Sequence, residues 1–514
     1  MDDKLTKQCL QALGGLPSSS GKAHATLLEL VGTTISKLSS VSEQLAVLEA
    51  ARSPVALVQA SMAARYASHP LPPNSEENQT FLNVVELWRS LADAYMRLLS
   101  VSIGHPGITT SRALLWQRRM HYASLTLLEY FRAHRMIPQG LWAQLHDSYA
   151  AAVQQEVASE RVEDPLNAAW RLQSARECFI ATLLVDLANP FGRDAREFDW
   201  INRWAERFAP TCDLRPAAEG MQDRLDNPIM YALDLSSDHG LRPLGKLHDT
   251  RHGRILHFDG SQLAAQIRTV LTQIKRGGVP PGLGLGRDAP AEPVAQLLLS
   301  LYRPWGLTTA GRRYRRRRFA GEAKLLSNWD SIAAHLTDGP RKSYALHSQY
   351  YSPETSGGEP WQITDQSVGG FKLNKHSPLQ RLAYRQLVGI HPPDGIHYLL
   401  GMVSWLMYRH NGVLESGISL MSGTPNRVAV RCGNQRSRPD IEHAYDIAFF
   451  LPALASMKQP ASLIVPSGRY HPQQTLESHP EQPQLPRRLR LTGLLASGSN
   501  FDQLAFEPLN APAA

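Results

Sequence analysis

A chain of 514 residues is too long for a single hydrophobic core, so about two to four domains are expected. An apolar share of 43% with a charged share of 19% excludes a disordered chain. The net charge of +8 and the pI near 9.3 favour anionic partners, yet they are too modest at this length for a protein that coats a nucleic acid.

The four cysteines, Cys9, Cys178, Cys212 and Cys432, are scattered and show no metal-ligand spacing, which is a reduced, cytoplasmic pattern. The first residues lack a basic stretch followed by an apolar run and a small-residue cleavage site, so no signal peptide is expected. The longest apolar runs, 398–408 and 447–457, are too short to span a bilayer. A cytoplasmic protein without a membrane span is the expectation.

Residues 1–220 read as an all-α helical bundle. The stretch 24–66 has apolar residues at helical spacing, interrupted only by Pro54. In 80–102, Val84, Leu87, Leu91, Tyr95 and Leu98 form one stripe, with Arg89, Asp93 and Arg97 off it. Helices over 111–136, 139–157, 166–187 and 196–208 follow, the third starting at Pro165. His121, His134 and His146 have no partner at metal spacing and read as ordinary helix residues.

Residues 221–310 form a mixed connector region. Short apolar pieces at 230–235 and 254–258 predict strands. A helix capped by Asp259 or Ser261 follows, with Leu263, Ile267, Val270, Leu271 and Ile274 on one face. The glycine string 282–286 lies after a proline pair and is not followed by Lys-Ser/Thr, so it reads as a connector rather than a phosphate loop. A helix over 292–302 leads to Pro304-Trp305-Gly306.

Residues 311–435 read as a small antiparallel β-barrel. Alternating pieces are separated by breakers, and Asn411-Gly412 between 403–408 and 413–420 is a strong hairpin signal. The alternation Val428-Ala429-Val430 is grouped with this barrel. Residues 436–514 form a further small β-unit with a frayed tail, completing the barrel or standing beside it. The run 444–457 reads as a helix, and 471–486, rich in Pro, Gln and His, as a loop.

The stretch 311–370 organises the rest. It opens with Arg312-Arg313-Tyr314-Arg315-Arg316-Arg317-Arg318, six guanidiniums in seven positions, which folding alone gives no reason to collect. It closes with Asp365-Gln366-Ser367-Val368-Gly369-Gly370. A guanidinium is flat, permanently charged and forked; it can bond guanine O6 and N7 or a phosphate, and it can stack on a purine. A carboxylate can accept from the guanine N1–H and N2–H₂ groups, which arginine cannot. No H-E-x-x-H, G-x-S-x-G or G-x-x-x-x-G-K-[ST] is present, so an enzyme is not expected. His391, His397 and His410 lack a carboxylate or cysteine at ligand spacing, and no metal or cofactor is expected.

These two ends resemble the two signature motifs of PilZ domains, bacterial receptors for cyclic di-GMP. An R-x-x-x-R motif is satisfied both by Arg313 with Arg317 and by Arg312 with Arg316, so its register stays open. Asp365, Ser367 and Gly370 match the [D/N]-x-S-x-x-G motif position for position. Gly401-Met402-Val403-Ser404-Trp405 and Glu415-Ser416-Gly417-Ile418 resemble later strands of such barrels. The resemblance implies a cyclic di-GMP site built from Arg312, Arg313, Arg316, Arg317, Asp365, Ser367 and Gly370. A non-enzymatic effector whose helical region meets an unknown protein partner is expected, and because the arginine block lies on the junction, nucleotide binding is expected to neutralise it and order the segment 305–319. The interval from Arg317 to Asp365 is long, and 336–358 reads as an insertion in a loop. Arg427, Arg431, Arg436 and Arg438 form a thinner basic zone. The alternative from another class is a nucleic-acid-binding protein that uses the arginine block electrostatically.

Overall fold

The computed structural model describes residues 2–104, 111–216, 231–244, 254–285, 289–306, 316–336, 357–433, 445–455, 459–480 and 485–509. The chain divides into two compact units. One comprises 1–69 with 73–311, and the other comprises 70–72 with 312–514. The architecture is α+β: an N-terminal helical region is followed by closed antiparallel barrels.

In the first unit, helices Val41–Ala63, Ser75–Gly104, Arg112–Arg132, Leu141–Gln154, Ala175–Leu187 and Ala195–Phe208 pack around one core. That core runs from Cys9 to Trp305. It therefore includes the helices Ser261–Gly277 and Ala291–Gly306 and a four-stranded sheet that contains Tyr231–Asp234 and Ile255–Asp259. Close approach fixes this corner. A Cβ on Gly260 would lie 2.0 Å from the Trp305 carbonyl oxygen, and the Trp305 indole donates to the Leu184 carbonyl at 2.7 Å.

Two helix boundaries differ from the periodicity. Pro54 lies inside the helix Val41–Ala63, and the break comes earlier, where a π turn, a 3-10 turn and extended Leu38 separate it from Ser20–Glu29. The helix read over 166–187 begins at Ala175, after a short hairpin of Val162–Glu163 with Leu172–Gln173. The reason is local. Asp164 accepts from the Leu166 amide, Asn167 accepts from the Ala169 and Trp170 amides, and these turns compete with helix. A Ser174/Glu177 capping box then starts the helix.

The second unit holds two closed barrels of six strands each. The first uses Arg317–Leu326, Glu359–Ser367, Gly370–His376, Leu387–His391, Leu399–Tyr408 and Val413–Leu420. Its interior is filled by Ala323, Trp361, Ile363, Leu373, Val388, Val403 and Leu414, and Leu71 of the 70–72 segment joins that core. The last two strands meet at Asn411-Gly412, where Gly412 takes φ +80°.

The second barrel uses Asn426–Cys432, Asp446–Leu451, Ser462–Pro466, Thr475–Ser478, Arg488–Ser497 and Phe501–Pro508. The strand around Val428 thus opens the second barrel instead of closing the first. The described part of the run read as a helix is a strand, Asp446–Leu451. Ala448 and Phe450 face the barrel interior, while Ile447, Phe449 and Leu451 enter a separate core shared with the first barrel. A strand covered on both faces reads as an unbroken apolar run, so its period does not separate it from a buried helix. The insertion at 336–358 falls largely outside the described residues. Among the described residues no helix is long and apolar enough to cross a membrane.

Candidate nucleotide-binding edge

The candidate residues that are described, Arg316, Arg317, Asp365, Ser367 and Gly370, lie at one end of the first barrel. Arg316 immediately precedes the strand Arg317–Leu326, which pairs antiparallel with Glu359–Ser367, Arg317 opposite Gln366 and Arg318 opposite Asp365. The pairing slips between Arg318 and Gly321, a bulge that bends the arginine end of the strand. Ser367 and Gly370 close the next hairpin around Val368-Gly369. The Ser367 hydroxyl donates to the Gly370 carbonyl at 3.4 Å. Gly370 is required by space: a Cβ there would lie 1.9 Å from the Ile418 carbonyl oxygen of the neighbouring strand.

Arg316 reaches across this corner. Its Nη1 lies 3.3 Å from Asp365 Oδ2, and the two side chains are 36% and 24% exposed. Asp365 is also the cross-strand partner of Lys372 on one side and Arg318 on the other. Directly opposed residues share a face, so Asp365 stands among Arg316, Arg318 and Lys372, the last of which is also held by Glu415. That leaves the corner positive, open to solvent and supplied with an acceptor. Arg317, exposed, is displaced by one position along the same strand end. Arg312 and Arg313 lie outside the described residues.

Sequence reading missed the residues beside this corner. Lys372 Nζ bonds Glu415 Oε2 at 3.1 Å and lies 5.8 Å from the centre of the Trp405 ring, and Arg409 donates to the other Glu415 oxygen at 2.5 Å. Glu415 is buried, so two cations hold a charge that would otherwise be costly there. The available signal was the alternation Phe371-Lys372-Leu373, which places Lys372 on the Asp365 face. Gly417 makes room for this arrangement, since a Cβ there would meet the Trp405 indole nitrogen at 1.9 Å.

Of the thinner basic zone, Arg427 and Arg431 lie on the first strand of the second barrel. Arg431 belongs to the second barrel and pairs with Glu477 at 2.9 Å; Arg436 and Arg438 lie outside the described residues. Among the described residues no group of His, Cys, Asp and Glu could hold a metal ion.

Two family models match the chain. Residues 7–218 match the N-terminal domain of the cyclic-di-GMP receptor FimW, and residues 432–509 match the FimW C-terminal β-barrel domain. The barrel with the Arg316–Asp365 corner lies between the matched stretches. A curated relative, Cyclic-di-GMP receptor FimW of Pseudomonas aeruginosa, is 30% identical over 157 residues, which is 29% of this chain. The match spans about a quarter of that relative, 24% of its length. Matched over its helical region and its C-terminal barrel by the two FimW models, the chain belongs to the FimW family, and the motif-bearing barrel lies outside both matched stretches.

Proposed function

We propose that this chain binds cyclic di-GMP at the edge of its first barrel and acts as a receptor, not as an enzyme. The observation that carries the reading is the corner where Arg316 meets Asp365, beside Arg318, Lys372 and the glycine-tipped hairpin. The ligand has two phosphates and two guanines, so it needs several cations and a carboxylate acceptor within one small area. Arg312, Arg313, Arg316 and Arg317 supply the forked donors. Asp365 accepts from a guanine edge, Ser367 braces the turn or bonds a phosphate oxygen, and Gly370 lets backbone approach. Each desolvated polar contact contributes roughly 1–3 kcal/mol, so three or four reach micromolar affinity.

Without ligand the arginine block repels itself. Binding neutralises it and orders the segment 305–319 that joins the helical region to the barrel in the chain, which is the proposed route of coupling to a protein partner. Calorimetric titration of the full chain with cyclic di-GMP tests the reading. Saturation at one or two nucleotides is expected, with heat lost in Arg313→Ala and weakened in Asp365→Ala. Unchanged binding in both variants would overturn it.

A further inference from the structure

The two barrels share one connectivity. With strands numbered one to six within each barrel, both close in the neighbour order first, second, third, sixth, fifth, fourth, every pair antiparallel. A simple meander would close in sequence order, so the shared crossover is a specific likeness. The second barrel nevertheless lacks both halves of the candidate site. The residues entering its first strand, 421–425, contain no arginine. The connection between its second and third strands, 452–461, contains neither aspartate nor glycine.

It carries an apolar outer face instead. Phe449, Ile464 and Phe501, from its second, third and sixth strands, share a core with Leu326, Leu387 and Leu400, from the first, fourth and fifth strands of the first barrel. Unlike faces therefore meet, a head-to-tail arrangement that could in principle continue. The leftover faces differ in being ion-paired: Lys372–Glu415–Arg409 on the first barrel and Arg431–Glu477–Arg488 on the second. The last hairpin of the second barrel adds polar locks. Asn500 Oδ1 accepts from the Leu387 amide at 2.8 Å, and the Ser499 amide donates to the Arg385 carbonyl at 3.1 Å. A Cβ on Gly498 would lie 2.1 Å from that same carbonyl oxygen.

We infer that the C-terminal barrel is a ligand-free second copy of the nucleotide-type barrel, used as a dock that holds the fourth and fifth strands of the first barrel in place. Its ligand-free character rests on the proposed function above; its docking role does not. Hydrogen exchange on the full chain separates the two. Asn500→Ala and Gly498→Ala are each expected to speed exchange about tenfold at Leu387–Ile390 and in Leu399–Tyr408, while Leu494→Ala, on an exposed part of the same barrel, changes neither. Changes confined to 498–501, or an equal effect of Leu494→Ala, would overturn the dock. In parallel, the full chain carrying Arg316→Ala with Asp365→Ala is titrated with cyclic di-GMP. Absence of residual binding is expected, and residual binding that disappears when the second barrel is altered would overturn the ligand-free assignment. If the unmodified chain itself gives no heat, the proposed function fails and the exchange result still decides the dock.

Discussion

Arginines do opposite work in two regions of this protein. In the helical unit, Arg52 and Arg118 are buried and saturated with partners. Arg52 donates to Asp164 at 2.7 Å and to the Tyr122 hydroxyl at 3.0 Å. Arg118 grips Glu49 at 2.8 Å and lies 3.2 Å from the other Asp164 oxygen. Gln117 completes the Asp164 carboxylate at 2.9 Å. At the barrel edge, Arg316, Arg317 and Arg318 are exposed; Arg316 pairs with Asp365 and Arg318 stands opposite it. A buried guanidinium must bring its counter-charges with it, because desolvation costs several kcal/mol per ion. An under-compensated cluster at a rim is tolerable in water and becomes favourable when an anion arrives.

The comparison is broken most severely at Asp164. Asp164→Ala leaves two buried cations short of a counter-charge and should destabilise the helical unit by about 3–5 kcal/mol in denaturant unfolding, with nucleotide affinity retained. Gly370→Ala comes next. The added methyl cannot coexist with the Ile418 carbonyl, so a loss of about 3 kcal/mol in the first barrel and weakened binding are expected, read by thermal unfolding and titration. Asp365→Ala should cost about tenfold to a hundredfold in nucleotide affinity by calorimetry. Its effect on stability should stay within about 0.5 kcal/mol, since the pair it breaks is largely solvated.

The pH dependences of two buried carboxyls have opposite signs. Burial alone would raise the Asp164 carboxyl, but His121, Arg52 and Arg118 bring it down to about 2. A depressed carboxyl stabilises the fold above its unfolded value near 4, and that stability is lost as pH falls through about 2. Glu206 is pushed up to about 7 by burial and by the charge of Asp164. The folded state then holds the proton longer, so stability declines as pH rises from the ordinary glutamate range to about 7. Glu206→Gln should remove that decline in a series of denaturant midpoints, and an unchanged slope would contradict the assignment.

Local signals in the sequence pointed to the proposed corner. Arg316, Asp365, Ser367 and Gly370 were legible because their chemistry has little structural purpose in a barrel, and Asn411-Gly412 placed its hairpin. Lys372 and Glu415 were not legible as a pair, because their meeting depends on the register between the third and sixth strands. Asp446–Leu451 was misread for a related reason. Its unbroken apolar run comes from a second covered face, supplied by the other barrel, and no window along the chain contains that face. In the helical unit, the hairpin before Ala175 was hidden because Pro165 looks like a helix start while Asp164 is spent on Arg52 and Gln117.

The most direct test of the account is a residue-level footprint of cyclic di-GMP on the full chain, by hydrogen exchange or amide shift changes. The changes are expected to centre on 312–318 and 365–372 and to vanish in Arg316→Ala with Asp365→Ala. Changes centred on the second barrel or on the helical unit, with 316–318 and 365–372 silent, would contradict it.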